Sequence, residues 1–179
     1  MRRHHSLLLA LAIFIPAVCH GQTKCPWINE ATARGILGGA VNVSVTTNVS
    51  HQGDGICKFS RQQGNAVYEL RISVDIMTDI PKQFPTYLAQ CPPKSAPLRA
   101  IGNEAVMCST EARPDAKAGP KPNDKDKDDA FGEKVVGRVR NQAFVVSVSS
   151  SVENDASMTR EMRREKANLI AEQVAGILF

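Results

Sequence analysis

The chain has 179 residues, 42% of them apolar and 22% charged, which suits one ordinary domain with a real core. Its formal charge of +4 is too small to imply a nucleic-acid partner, and it falls to +2 once Arg2 and Arg3 are removed with a leader. Aromatic residues make up 5%, so stacking platforms for bases or sugars are scarce.

The N-terminus reads as an address. Arg2 and Arg3 form a charged start, and the apolar run from Leu7 to Ile15 follows. That run is too short to cross a bilayer core of ~30 Å, which needs roughly 20 apolar residues. Residues 1–21 are therefore read as a signal peptide, with cleavage after Gly21 or after Cys19. Lipid anchoring through Cys19 is the minor alternative, because Val18 stands where a lipoprotein signal has a small residue. The expected location is secreted or periplasmic, with no transmembrane segment in residues 22–179.

The domain opens with "CPWINEATARGILGGAV". Pro26 suits the first turn of a helix, Trp27, Ile28, Ala31 and Leu37 have loosely helical spacing, and Gly38 and Gly39 end it. "VNVSVTTNV" alternates β-branched and polar residues and predicts a strand; "HQGDG" turns; "ICKFSRQ" predicts a second strand. "AVYELRISVDIM" carries the strictest period of two. Leu70, Ile72, Val74 and Ile76 fall on one face, and Glu69, Arg71, Ser73 and Asp75 on the other. Such a strand has one buried and one wet face, as in an antiparallel sheet.

"FPTYLAQC" predicts a short helix, with Phe84, Leu88 and Cys91 on one side and Pro92, Pro93 and Pro97 ending it. "NEAVMCSTE" predicts a strand. "EKVVGRVRNQAFVVSVSSS" reads as a hairpin that breaks near Asn141. A terminal amphipathic helix carries Met162, Leu169, Ile170, Val174, Ile177 and Leu178 as its apolar stripe, with Arg160, Arg163, Arg164 and Lys166 on the other face. This order predicts an α+β domain over residues 22–179. It should have a single antiparallel sheet of five or six strands, covered by the N- and C-terminal helices.

Between the last two predicted strand regions lies a charged loop at about 111–132, crowded with Asp124, Asp126, Asp128 and Asp129. A calcium loop counted from Asp124 fails twice: Asp129 stands where the sharp turn needs glycine, and Val135 stands where a bidentate Glu is needed. Pro120 and Pro122 occupy the place of the preceding helix. The segment reads as a flexible excursion, and no metal or other cofactor is expected.

Residues 22–179 hold four cysteines, Cys25, Cys57, Cys91 and Cys108. On an exported chain an even count favours two disulfides, and the three connectivities stay open on sequence grounds. Zinc lacks support, since there is no CxxC pair and His51 is the only histidine after Gly21. A lone turn histidine without a GxSxG motif gives no catalytic triad, and no catalytic residue is assigned. Asn42 and Asn48, each in "NVS", are glycosylation acceptors only on a eukaryotic secretory route.

Two stretches carry a resemblance. "CPWINEATARGILGGAV" with "CKF", and "IGNEAVMC" with "VVGRVRNQAFVVSVSS" and "NLIAEQVAGIL", together resemble a group of exported bacterial proteins of unknown function, many of them lipoproteins. The resemblance implies an α+β fold similar to the PsbP-like fold. By matching positions it implies that Cys25 pairs with Cys57, leaving Cys91 and Cys108 for each other. It supplies no catalytic residues.

The resulting expectation is an exported, non-catalytic domain that binds a small ligand or an envelope protein. Gly102, Asn103 and Glu104, within "IGNEA", are the candidate binding residues, set against their reading as a structural turn. The first alternative is a hydrolase using carboxylates such as Glu69, Asp75 or Glu104. The second is a structural or assembly subunit that pairs through the wet face of "AVYELRISVDIM".

Overall fold

The computed structural model describes residues 24–47, 53–110 and 131–179. The leader at 1–21 with Cys19, Asn48, His51 and the carboxylates at 124–129 lie outside the described residues.

The described residues form three helices and seven strands. The elements are α1 (Glu30–Leu37), β1 (Asn42–Thr47), β2 (Gly55–Gln63), β3 (Ala66–Ile76), α2 (Ile80–Leu88), β4 (Ala96–Leu98), β5 (Glu104–Thr110), β6 (Phe131–Val139), β7 (Gln142–Ser150) and α3 (Arg160–Leu178). All strands join one antiparallel sheet in the order β1-β2-β3-β7-β6-β5-β4. The fold class is the expected α+β, but the strand count exceeds the expected five or six. The extra strand is β4, whose three residues are too few to show alternation. It contains Pro97, which an edge strand tolerates because one side of it needs no ladder donor. Phe131 and Gly132, read as the end of the charged loop, begin β6 instead.

The sheet divides the molecule by its pleat. Its inner face carries Phe59, Leu70, Ile72, Val74, Val135 and Phe144, all buried, and packs against α1 and α3. At ~1.5–3 kcal/mol per buried large apolar side chain, this face supplies most of the hydrophobic stabilisation. Ile76, expected with Leu70, Ile72 and Val74, is only half-buried at the strand end.

Helix α1 starts later than the sequence suggests. Asn29 is its N-cap, accepting from the Thr32 N–H at 2.8 Å, and Pro26 and the buried Trp27 precede it. Gly38 ends it in the left-handed conformation at φ 78°, as expected. Its last carbonyls are taken by cations from two other elements. Arg61 of β2 donates to the Leu37 oxygen at 2.6 Å, and Lys166 of α3 donates to the Ile36 oxygen. Positive charge at a helix C-terminus also complements the dipole, so these contacts dock α1.

Helix α3 corrects the predicted stripe. Ile170, Val174 and Leu178 are buried as expected, but Leu169 and Ile177 are 56% and 51% exposed and Met162 lies at the surface. Ala167, Ala171 and Ala175 take the buried positions instead. Small side chains at every fourth position let the helix backbone approach the sheet, so the buried stripe is rotated toward the alanines. Arg163, placed on the polar face from sequence, is 4% exposed; its Nη1 donates to the Met158 carbonyl at 2.6 Å.

One disulfide serves each face. Cys25–Cys57 ties the segment before α1 to the inner face of β2, closing a separation of 32 residues. Cys91–Cys108 ties the end of α2 to the outer face of β5, closing 17. Each cross-link should contribute ~2–4 kcal/mol, mainly by restricting the unfolded chain.

Candidate functional site: a polar trough on the outer sheet face

The outer face is only partly covered. Helix α2 is started by Asp79, whose side chain accepts from the Lys82 N–H, and carries a proline in its first turn. It buries Phe84 against Met77 and Ala143, and Leu88 against the Cys91–Cys108 corner with Val136. It stops there, because Pro92 and Pro93 cannot continue a helix.

Beyond α2 the outer face is left to polar side chains, which line a trough of about 430 Å³. Its floor is Glu69, Arg71, Ser73 and Asp75 from β3, with Ser147 and Ser149 from β7; Tyr87 of α2 and Lys134 of β6 also line it. Register explains the assembly: Arg71 is opposite Ser147, which is opposite Lys134, while Glu69 is opposite Ser149. Residues opposite one another on paired strands point to the same face, so one row presents Arg71, Ser147 and Lys134 side by side.

The charges are unevenly placed. Lys58, also on this face, pairs with Glu69 at 2.5 Å. Burial pushes the Lys134 ammonium below its ordinary range. Four residues along β3 from Arg71, burial raises the Asp75 carboxyl, the Tyr87 hydrogen bond lowers it and the Asp54 charge raises it. Burial, then the Asp75 charge, raises the Tyr87 phenol in turn. Perturbed groups gathered in a cleft mark a candidate binding site.

A second, more open groove of about 1040 Å³ adjoins the trough, between the 89–96 segment and the end of β5. Its one carboxylate, Glu133, is 2% exposed and already committed: it accepts from Ser109 at 2.6 Å and from Arg160 Nε at 2.9 Å. That network braces α3 on β5 and β6.

Gly102, Asn103 and Glu104 line neither cavity. They clasp the β6–β7 turn. The Asn103 N–H donates to the Arg138 carbonyl at 2.8 Å, and its side-chain oxygen accepts from the Arg140 N–H at 2.6 Å. Glu104 pairs with Arg138, whose guanidinium lies over the Phe84 ring. Gly102 has φ 63°, and a Cβ there would run into the Arg138 carbonyl. The geometry accounts for this motif as a turn that fixes the hairpin.

The carboxylates proposed for hydrolysis stand apart. Glu69 and Asp75 are six positions apart on one strand, about 20 Å. Asp75 and Glu104 lie in one cross-strand row through Ala143 and Arg138, three strand spacings or about 14 Å apart. Paired catalytic carboxylates work at about 5–9.5 Å.

Arg71 was visible in the sequence only as one wet-face residue of β3, and Lys134 was not singled out. The usable signal for Lys134 is a cation, like Arg138, set amid the valines of "EKVVGRV"; its alignment with Arg71 depends on register through β7. Among the described residues no group of three His, Cys, Asp or Glu could hold a metal ion, and no helix is long and apolar enough to cross a membrane. Comparison with protein-family models, with curated proteins and with solved structures finds no match.

Proposed function

We propose that this chain is an exported, non-catalytic binding domain, and that the outer-face trough holds a small polar ligand. The observation that carries this reading is the trough itself. A sheet whose inner face packs against α1 and α3 leaves, on the other side, a concave surface lined mostly by polar residues, of a volume that suits a small molecule. The two disulfides support an oxidising compartment outside the cytoplasm. Kinship with the exported bacterial group that the motifs resemble belongs to the same proposal. Glu69, Asp75 and Glu104 stand too far from one another to act as a pair of acid and base, which favours the binding reading.

The test is a thermal-shift screen of neutral, cationic and anionic polar molecules against the full chain. A ligand at a hundred times its Kd stabilises by about 2.7 kcal/mol, a readily measured rise in melting temperature. Hits should vanish in Ser73→Trp, which fills the floor of the trough. Hits that survive that substitution would move the site elsewhere. Loss of every hit, together with self-association through this face, would favour the assembly-subunit reading.

A further inference from the structure

Arg71 and Lys134 flank Ser147, each one strand away from it in register. Strand spacing puts their Cα atoms about 10 Å apart, so two long cationic side chains can converge above one small hydroxyl. Both are half-buried, and neither forms an ion pair with a described residue. The adjacent carboxylate, Glu69, is engaged by Lys58 on its other side. Burial strips the Lys134 ammonium of part of its solvation, and an anion seated between it and Arg71 would restore what the recess withholds.

We infer that the trough takes a small molecule bearing an oxyanion, seated over Ser147 between Arg71 and Lys134. The guanidinium supplies a fork of parallel donors, the ammonium a point charge, and Ser147 a neutral hydroxyl. Ser149 and Ser73 offer further hydroxyls along the same floor. Asp75, four residues along β3 and hydrogen-bonded to Tyr87, sets the polarity: the anionic group lies in the Arg71–Ser147–Lys134 row and the remainder of the ligand toward Asp75 and Tyr87. This inference rests on the trough being the binding site.

The experiment is an NMR titration of the isotope-labelled full chain with sodium phosphate and, separately, sodium acetate, each against sodium chloride at matched ionic strength. The expected result is saturable shifts at the amides of Arg71, Lys134 and Ser147. The stronger of the two responses identifies a tetrahedral or a carboxylate group. Arg71→Gln and Lys134→Gln should each weaken binding by about tenfold, as for loss of a charge-assisted bond. Lys94→Gln, in the neighbouring groove, should leave it unchanged. Should either glutamine variant lose its dispersed spectrum, Arg71→Lys keeps the charge and removes the fork, and should weaken binding by a smaller factor. Shifts no larger than those with chloride, or shifts indifferent to the substitutions, would overturn the inference. Saturable trough shifts with glucose but with neither anion would overturn it while leaving the binding-domain proposal standing.

Discussion

The two faces of the one sheet use the same strands for opposite ends. Along β3, Leu70, Ile72 and Val74 enter the inner core with no exposure, on the face where α1 packs, while Arg71, Ser73 and Asp75, one residue away in each case, line an open trough. A strand pleat makes this division automatic, so stability and recognition can be tuned separately on alternate residues. Polar groups that enter the inner side are tied to the fold: Glu133 by Ser109 and Arg160, and Arg163 through Nη1 by the Met158 carbonyl, its Nε being left without a partner. On the outer side, Arg71 and Lys134 have no ion pair among the described residues. The difference separates polar groups that hold the fold from the two cations to which the proposed ligand is assigned.

The largest expected effect sharpens this contrast within a single strand. Ile72→Ala should destabilise by ~2–5 kcal/mol through a cavity in the inner core, whereas Ser73→Ala should change stability by less than ~0.5 kcal/mol. Denaturant unfolding of both variants measures it, and equal losses would break the two-face division. Next come the disulfides. Replacing Cys91 and Cys108 with serine should cost ~2–4 kcal/mol, and because this bridge anchors the end of α2, it should also weaken trough binding. Replacing Cys25 and Cys57 should cost a similar amount and leave the trough ligand's affinity for the folded protein unchanged.

A smaller effect concerns the buried cation of α3. Arg163→Met should be neutral or stabilising, since it removes a desolvated charge while keeping the volume; Arg163→Ala should be destabilising. Thermal melts of the pair distinguish a cation tolerated for packing from one required for its hydrogen bond. The smallest effect is a pH slope. Asp75 has a folded pKa raised above its ordinary 3.8, so folding favours its protonated form. Its contribution is fully present below the ordinary value and is lost as pH rises through the raised one. Asp75→Asn should remove that fall, measured as a flatter melting-temperature profile across the acidic range.

The sequence was most informative where a period is enforced on both sides. The β3 alternation, the hairpin that breaks near Asn141 and the glycine end of α1 were all legible, because each is written in adjacent residues. Helix α3 was legible as a helix but not in its rotation, because Ala167, Ala171 and Ala175 carry little hydropathy yet set the closest approach to the sheet. Strand β4 was hidden by its proline and its three-residue length. The trough was half visible: the wet face of β3 could be named, but Lys134 joins it only through pairing across β7. "IGNEA", named as a candidate binding motif beside its reading as a structural turn, clasps the β6–β7 turn through Asn103 and Glu104.

The central claim is that the outer face recognises a ligand while the inner face holds the fold, and Ser147→Trp tests it most directly. An indole there fills the seat between Arg71 and Lys134 without touching the inner core. The account predicts a melting temperature within a few degrees of the unsubstituted chain, as for a surface change of roughly 0.5 kcal/mol, together with loss of the phosphate or acetate response. Retained anion binding in a folded Ser147→Trp protein would contradict it.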